Sequence, residues 1–182
     1  MPIGARRTFR LSAVVALSLA FAYGLGIPLP FFAPLFGLLL TAVPGPPMRL
    51  KGLLGLFLVV TITLGVGLVL TPLLAKYPVS AILTIAAGVY LSTYVSVGLR
   101  KGLIGMLLTM GFTLIPAAGL VDYSVAVTVI DALLLGIGLA IVSQWIVYPF
   151  FPEDPRKEIA AMPPAVDASQ VSWIALRATL IV

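Results

Sequence analysis

Cysteine and histidine are both absent from the 182 residues. Their absence excludes disulfides, thiolate nucleophiles, Cys/His zinc sites and a Ser-His-Asp triad. Charge is scarce too: 9% of residues carry it, against roughly a quarter in an ordinary globular domain. So few charges cannot cover a surface that faces water. No P-loop, Gly-rich nucleotide fingerprint or HExxH stretch occurs, which removes an ATP-driven motor from this chain. No sizeable polar domain exists to carry a nucleic-acid footprint, so the net charge of +5 needs another explanation.

What the chain does have is apolar length. Hydrophobic residues make up 61% of it, and the mean hydropathy is +1.19. Lipid is therefore the expected main solvent. Six long apolar stretches follow one another: Leu11–Ile27, Leu29–Val43, Leu53–Ala75, Val79–Leu99, Leu103–Val121 and Val125–Phe150. A helix needs about 20 residues to cross a ~30 Å hydrocarbon core. The last four meet that, and the first two are short. Pro28 and Pro30 join these two without any charge, so they read as a tight helical hairpin. A β-barrel would need strict apolar/polar alternation. LLGLFLVVTITLGVGLVL is apolar all round, which rejects it. The expected fold is an all-α membrane protein with a six-helix transmembrane bundle over 1–150.

The basic residues explain themselves by topology. Arg6, Arg7 and Arg10 precede the first stretch, Arg49 and Lys51 follow the second, Arg100 and Lys101 the fourth, and Arg156 and Lys157 the sixth. Six alternating passes put all of these on one side, with only Lys76 opposite. Positive residues mark the cytoplasmic face, so the N-terminus is expected inside, in an inner (plasma) membrane. Trp145 and Tyr148 fit an anchor at that inner interface. The start also looks like a secretory or twin-arginine signal, with Ala20-Phe21-Ala22 as its cleavage site. An uncleaved signal-anchor accounts better for the five spans that follow.

Residues 151–172 hold Glu153, Asp154, Glu158 and Asp167, several prolines and no long apolar run, and read as a cytoplasmic linker. WIALRATLIV at 173–182 opens another apolar segment. Arg177-Ala-Thr-Leu-Ile-Val is similar to Arg10-Leu-Ser-Ala-Val-Val. This reads as the truncated start of a second membrane repeat, parallel to the first, which would make a second membrane half of the same protein a partner.

Within the spans, Asp131 is the sharpest candidate. It lies ~12 Å along a helix from Tyr123. A charged Asp near a helix centre costs ~2.5–3.5 kcal/mol on the insertion scale, so it is expected to face the bundle interior or a water-filled cavity. There it could couple transport to protons, or serve as a structural acid bonded to a neighbouring hydroxyl. Ala132, Gly136 and Ala140 form a small-residue ridge beside it, which reads as close packing, as do Gly65 and Gly67. Pro116 interrupts the fifth stretch and frees carbonyls near Phe112 and Thr113; Thr109 and Thr113 share a face and could supply hydroxyls there, so the break either lines a substrate path or is a harmless kink near the outer end. Pro34 poses the same question in the second stretch. Tyr90 and Tyr94, at i and i+4, could stack an aromatic substrate. Ser92, Thr93 and Ser96 make theirs the most polar span. No Lys or Arg is expected deep in any span, and the paired basic residues could gather an anion at the inner mouth.

Three stretches carry a resemblance: the R-x-x-x-R-L-S-A start, the hairpin GIPLPFFAPLFGLLLTAVPGPP, and TMGFTLIPAAG after the GLRKG loop. Together with six spans and a break before a second membrane half, they resemble the fusaric-acid-resistance and aromatic-acid-exporter superfamily of bacterial inner-membrane proteins. The nearest branch is its small members without a large soluble domain. The resemblance implies proton-driven efflux of small, often aromatic, organic acids, and a periplasmic adaptor of the membrane-fusion type as partner. No cofactor and no metal are expected. The leading expectation is therefore a transporter and not an enzyme. The rival is a membrane scaffold or assembly subunit; an intramembrane enzyme would want clustered polar residues.

Overall fold

The computed structural model describes residues 3–42, 50–99, 101–152 and 168–181. Every regular element among them is helical: α1 Ile3–Gly24, α2 Phe32–Ala42, α3 Leu50–Lys76, α4 Pro78–Gly98, α5 Gly102–Thr109, a π-helical turn Met110–Leu114, α6 Ile115–Val121, α7 Tyr123–Val147, a 3₁₀ turn Tyr148–Phe150 and α8 Ala168–Ile181. Each of the six apolar stretches is thus helical. Four helices are long and apolar enough to cross a membrane: Lys51–Lys76, Val79–Gly98, Gly102–Val121 and Tyr123–Phe150, the third running through the π turn. Phe32–Ala42 is a shorter apolar helix. This is a membrane protein. The acidic stretch of the expected linker, together with Arg49, Arg100, Arg156 and Lys157, lies outside the described residues.

By its internal contacts the chain divides into two compact units, Met1–Leu53 with Asp131–Pro163, and Leu54–Ile130 with Pro164–Val182. In the first unit α1 and α2 form an antiparallel hairpin. α1 ends in a Schellman cap: Gly26 takes φ +63°, its N–H bonds the Tyr23 carbonyl, and the Ile27 N–H bonds Ala22. Leu29 follows at φ 59°, a left-handed conformation that a branched side chain seldom takes. Pro34 does not break α2. It lies in the first turn, where its missing N–H would have had no helical partner.

Gly37 allows the close approach of the hairpin, because a Cβ there would lie 2.9 Å from Ser18 Oγ and 3.4 Å from Val14. The second half of α7 runs parallel to α2: Gly136 abuts Phe32 and Ala33, and Gln144 reaches Leu40 eight residues on. Ala132, Gly136 and Ala140 are all buried, so the small-residue ridge packs. Phe9 stacks on Phe151 with ring centroids 6.5 Å apart, which sets the start of α1 and the end of α7 at one end of this unit.

In the second unit, α3 runs parallel to α5–α6 with one repeating register. Thr63 meets Gly111, Gly67 meets Gly111 and Ile115, and Thr71 meets Gly119. A Cβ on Gly67 would overlap the Gly111 carbonyl oxygen, whereas one on Gly65 would meet nothing within 4 Å. Only the first of the two glycines is therefore a packing glycine. On the other side of α5, α4 runs antiparallel: a Cβ on Gly105 would lie 2.6 Å from the Ser92 carbonyl, and one on Gly88 would lie 2.5 Å from the Phe112 side chain. α8 packs on α4, with Val171 against Gly98.

Candidate functional site

The seam between α4 and α5 carries the densest set of polar side chains. It can close because Gly105 presents no side chain to Ser92 and Ser96. The two helices then leave a groove of about 180 Å³ lined by Ser92, Thr93, Ser96, Gly102, Gly105 and Thr109, with Val97 and Met106 as apolar walls. Thr109 Oγ1 lies 2.9 Å from Ser92 Oγ and 3.1 Å from the Gly105 carbonyl. Ser92 and Thr93 both donate to the Val89 carbonyl, at 2.8 and 2.9 Å. With these protons turned into the helix, hydroxyl lone pairs face the groove. It offers acceptors to water or to the polar head of a small molecule.

Directly above this seam the backbone of the fifth stretch changes pitch. The Ile115 N–H bonds Met110 O, five residues back, closing the π turn just before Pro116. A proline ring clashes with the carbonyl four residues before it, here Phe112. The wider turn moves that carbonyl aside, and the Thr113 hydroxyl donates to the Thr109 carbonyl at 2.6 Å. A π bulge is a frequent mark of function within a helix. Pro116 itself is fully buried. Thr109 thus joins the groove, and Thr113 and Pro116 belong to the break beside it. Tyr90 is half-buried and Tyr94 is 40% exposed. Neither ring lines the groove; Tyr94 borders Gly98 instead. A wider hollow of about 500 Å³, lined by Leu68, Val69, Thr71, Pro72, Ala75, Gly119 and Tyr123, is largely apolar.

Asp131 belongs to the first unit, and its side chain is exposed. Within that unit the face of α7 that meets α2 carries the buried Ala132, Gly136 and Ala140, and Asp131 lies off that face, on the stripe with Leu135, Val142 and Ile146.

Sequence reasoning missed a second polar layer. Arg10, expected to mark the inner loop, is 2% exposed and lies within α1. Its Nη2 lies 3.4 Å from the Thr41 carbonyl, and Gln144 Nε2 donates to the Leu40 carbonyl at 3.2 Å. Both acceptors belong to the final residues of the described part of α2. The lone Gln144 in an apolar run was the available signal.

Asp122, between α6 and α7, caps α7: its carboxylate accepts the Ser124 hydroxyl at 2.5 Å and the Ser124 N–H at 2.7 Å. These bonds, the hydroxyl first, hold its carboxyl below the usual range. No metal-binding group of His, Cys, Asp or Glu occurs among the described residues.

Comparison with curated proteins and with solved structures gives no match. Residues 7–147 do match a family described as "Protein of unknown function (DUF2955)", and the chain belongs to that family.

Proposed function

We propose that this protein is a multi-pass inner-membrane transporter that exports small organic acids, aromatic ones among them, in exchange for protons. The carrying observation is the π turn at Met110–Leu114 beside the hydroxyl-lined α4/α5 groove. Irregular backbone is tolerated at membrane depth where it is buried in protein or lines a cavity, and π turns within helices are frequent at functional sites. Six alternating passes are favoured by the helix directions within each unit: α1 against α2, α2 along α7, α3 along α5–α6, α4 against α5. The Phe9–Phe151 stack fits a chain whose N-terminus and post-α7 segment share the cytoplasmic side. The resemblance to aromatic-acid exporters supplies the substrate class and the periplasmic adaptor. Asp131 is the proton site in this reading, Thr109 lines the path, Thr113 and Pro116 shape the break beside it, and Tyr90 and Tyr94 flank it.

The test is flux of labelled aromatic acids in sealed vesicles under an imposed proton gradient. Wild type should show proton-driven transport, and Asp131→Asn should lose the proton-driven component while keeping downhill exchange. Equal proton-driven flux in both would remove the role given to Asp131. No flux of any tested acid would favour the second reading, a membrane scaffold. That reading is favoured by the exposure of Asp131, which marks its helix face as a docking surface.

A further inference from the structure

The π turn leaves one carbonyl over. The Ile115 N–H, which an α-helix would give to the Gly111 carbonyl, goes to Met110 O instead. The donor that a π turn would offer to Gly111 is Pro116, which has no N–H. The Gly111 carbonyl therefore has neither an α nor a π partner. It lies against Gly67 of α3, at the point where a Cβ would overlap it. A glycine leaves room there, and its Cα–H faces the oxygen as a weak donor.

We infer that the Ile115 N–H and the Gly111 carbonyl form a two-position switch that assembles and dismantles the α4/α5 groove. In the first position Ile115 bonds Met110, and the Gly111 carbonyl rests on Gly67. In the second, Ile115 bonds Gly111, and the turn is α-helical with a kink at Pro116. Both positions satisfy the same proline, and each gives Ile115 one acceptor. They differ in register by one residue, about 100° of helix rotation. The rotation falls on α5. α6 is held on α3 by the close approaches of Ile115 to Gly67 and of Gly119 to Thr71, whereas α5 has the groove of about 180 Å³ to turn into. In the second position Met110 takes the direction of Thr109. Thr109 then leaves Ser92, and the hydroxyl set lining the groove comes apart. The glycine contact on one side of the helix and the groove on the other are thus one device. A molecule held between Ser92 and Thr109 favours the π turn, and a displacement of α3 from Gly111 opens the groove. This is a regulation of the groove in the transport reading, and it rests on that reading only for its use in transport.

Gly-Phe occurs once in the sequence, at 111–112, so carbonyl-13C glycine combined with 15N phenylalanine marks the Gly111 carbonyl alone. In wild type its carbon resonance should lie upfield of hydrogen-bonded helical glycine. In Gly67→Ala, whose new Cβ displaces the carbonyl, it should move downfield into the helical range. The chain has no cysteine, so introduced pairs report the rotation. Ser92→Cys with Thr109→Cys should link on oxidation. Ser92→Cys with Met110→Cys should link roughly ten-fold or more slowly, because its Cβ atoms point apart. Gly67→Ala should reverse that order, and Gly65→Ala, which meets open space, should leave it unchanged. A hydrogen-bonded Gly111 carbonyl in wild type would overturn the proposal, even where Gly67→Ala fails to fold. So would a folded Gly67→Ala protein that keeps the wild-type resonance or still links through residue 109. Neither readout uses flux, so a failed transport assay with both results as expected removes the transport reading alone.

Discussion

At Asp122 one carboxylate organises the first turn of α7, through the Ser124 hydroxyl and N–H. Its pKa is lowered in the folded state. The stabilisation is therefore fully present above the unfolded value of ~3.9 and is lost as pH falls through the lower folded value. Hydrogen exchange at the Ser124 amide should be flat from neutral pH to about 4, once corrected for intrinsic rates, and rise only below it. Asp122→Ala should raise it at neutral pH. Gly67 and Gly65 give a second residue-scale contrast. Gly67→Val must displace the Gly111 backbone, and should destabilise by at least the ~1–3 kcal/mol typical of overpacking. Gly65→Ala meets open space and should be neutral or slightly stabilising. Thermal unfolding in one detergent would read both. The glycines look alike in the sequence; which one a neighbouring backbone crosses depends on the helix rotation, and no local pattern reports that.

Two elements draw on more than regular helical bonding for their backbone groups. In α2, Arg10 and Gln144 reach the Thr41 and Leu40 carbonyls. Gln144→Leu should cost ~0.6–1.7 kcal/mol, the range for hydrogen bonds between membrane helices, and Gln144→Glu should cost less only when protonated. The break in the fifth stretch was legible from Pro116, because a mid-span proline must free a carbonyl. That the break takes the form of a π turn, with Phe112 seated against Gly88, was not. A kink and a bulge satisfy the same proline, and in the bulge Phe112 packs directly on Gly88. Gly88→Leu should expel Phe112 and lower stability by an overpacking cost of ~1–3 kcal/mol.

For the molecule as a whole, orientation is the claim with the widest reach. A membrane-impermeant maleimide should label Lys76→Cys from outside intact cells. Arg6→Cys should label only after permeabilisation. Reversed labelling would invert the transport direction assigned above and move the groove near Gly102 to the outer face.

Sequence alone determined that this is a helical membrane protein. Apolar runs of spanning length with little charge have one stable outcome in lipid, because a helix bonds its own backbone. It also marked which residues are unusual: Asp131, Pro116, and the Ser/Thr cluster of α4. Only tertiary structure decided what those residues face. Rotation about each helix axis turned Asp131 away from α2, buried Arg10 and paired Thr109 with Ser92. In a chain apolar on every side, hydrophobicity cannot fix that rotation. The fit of glycines against neighbouring backbones does.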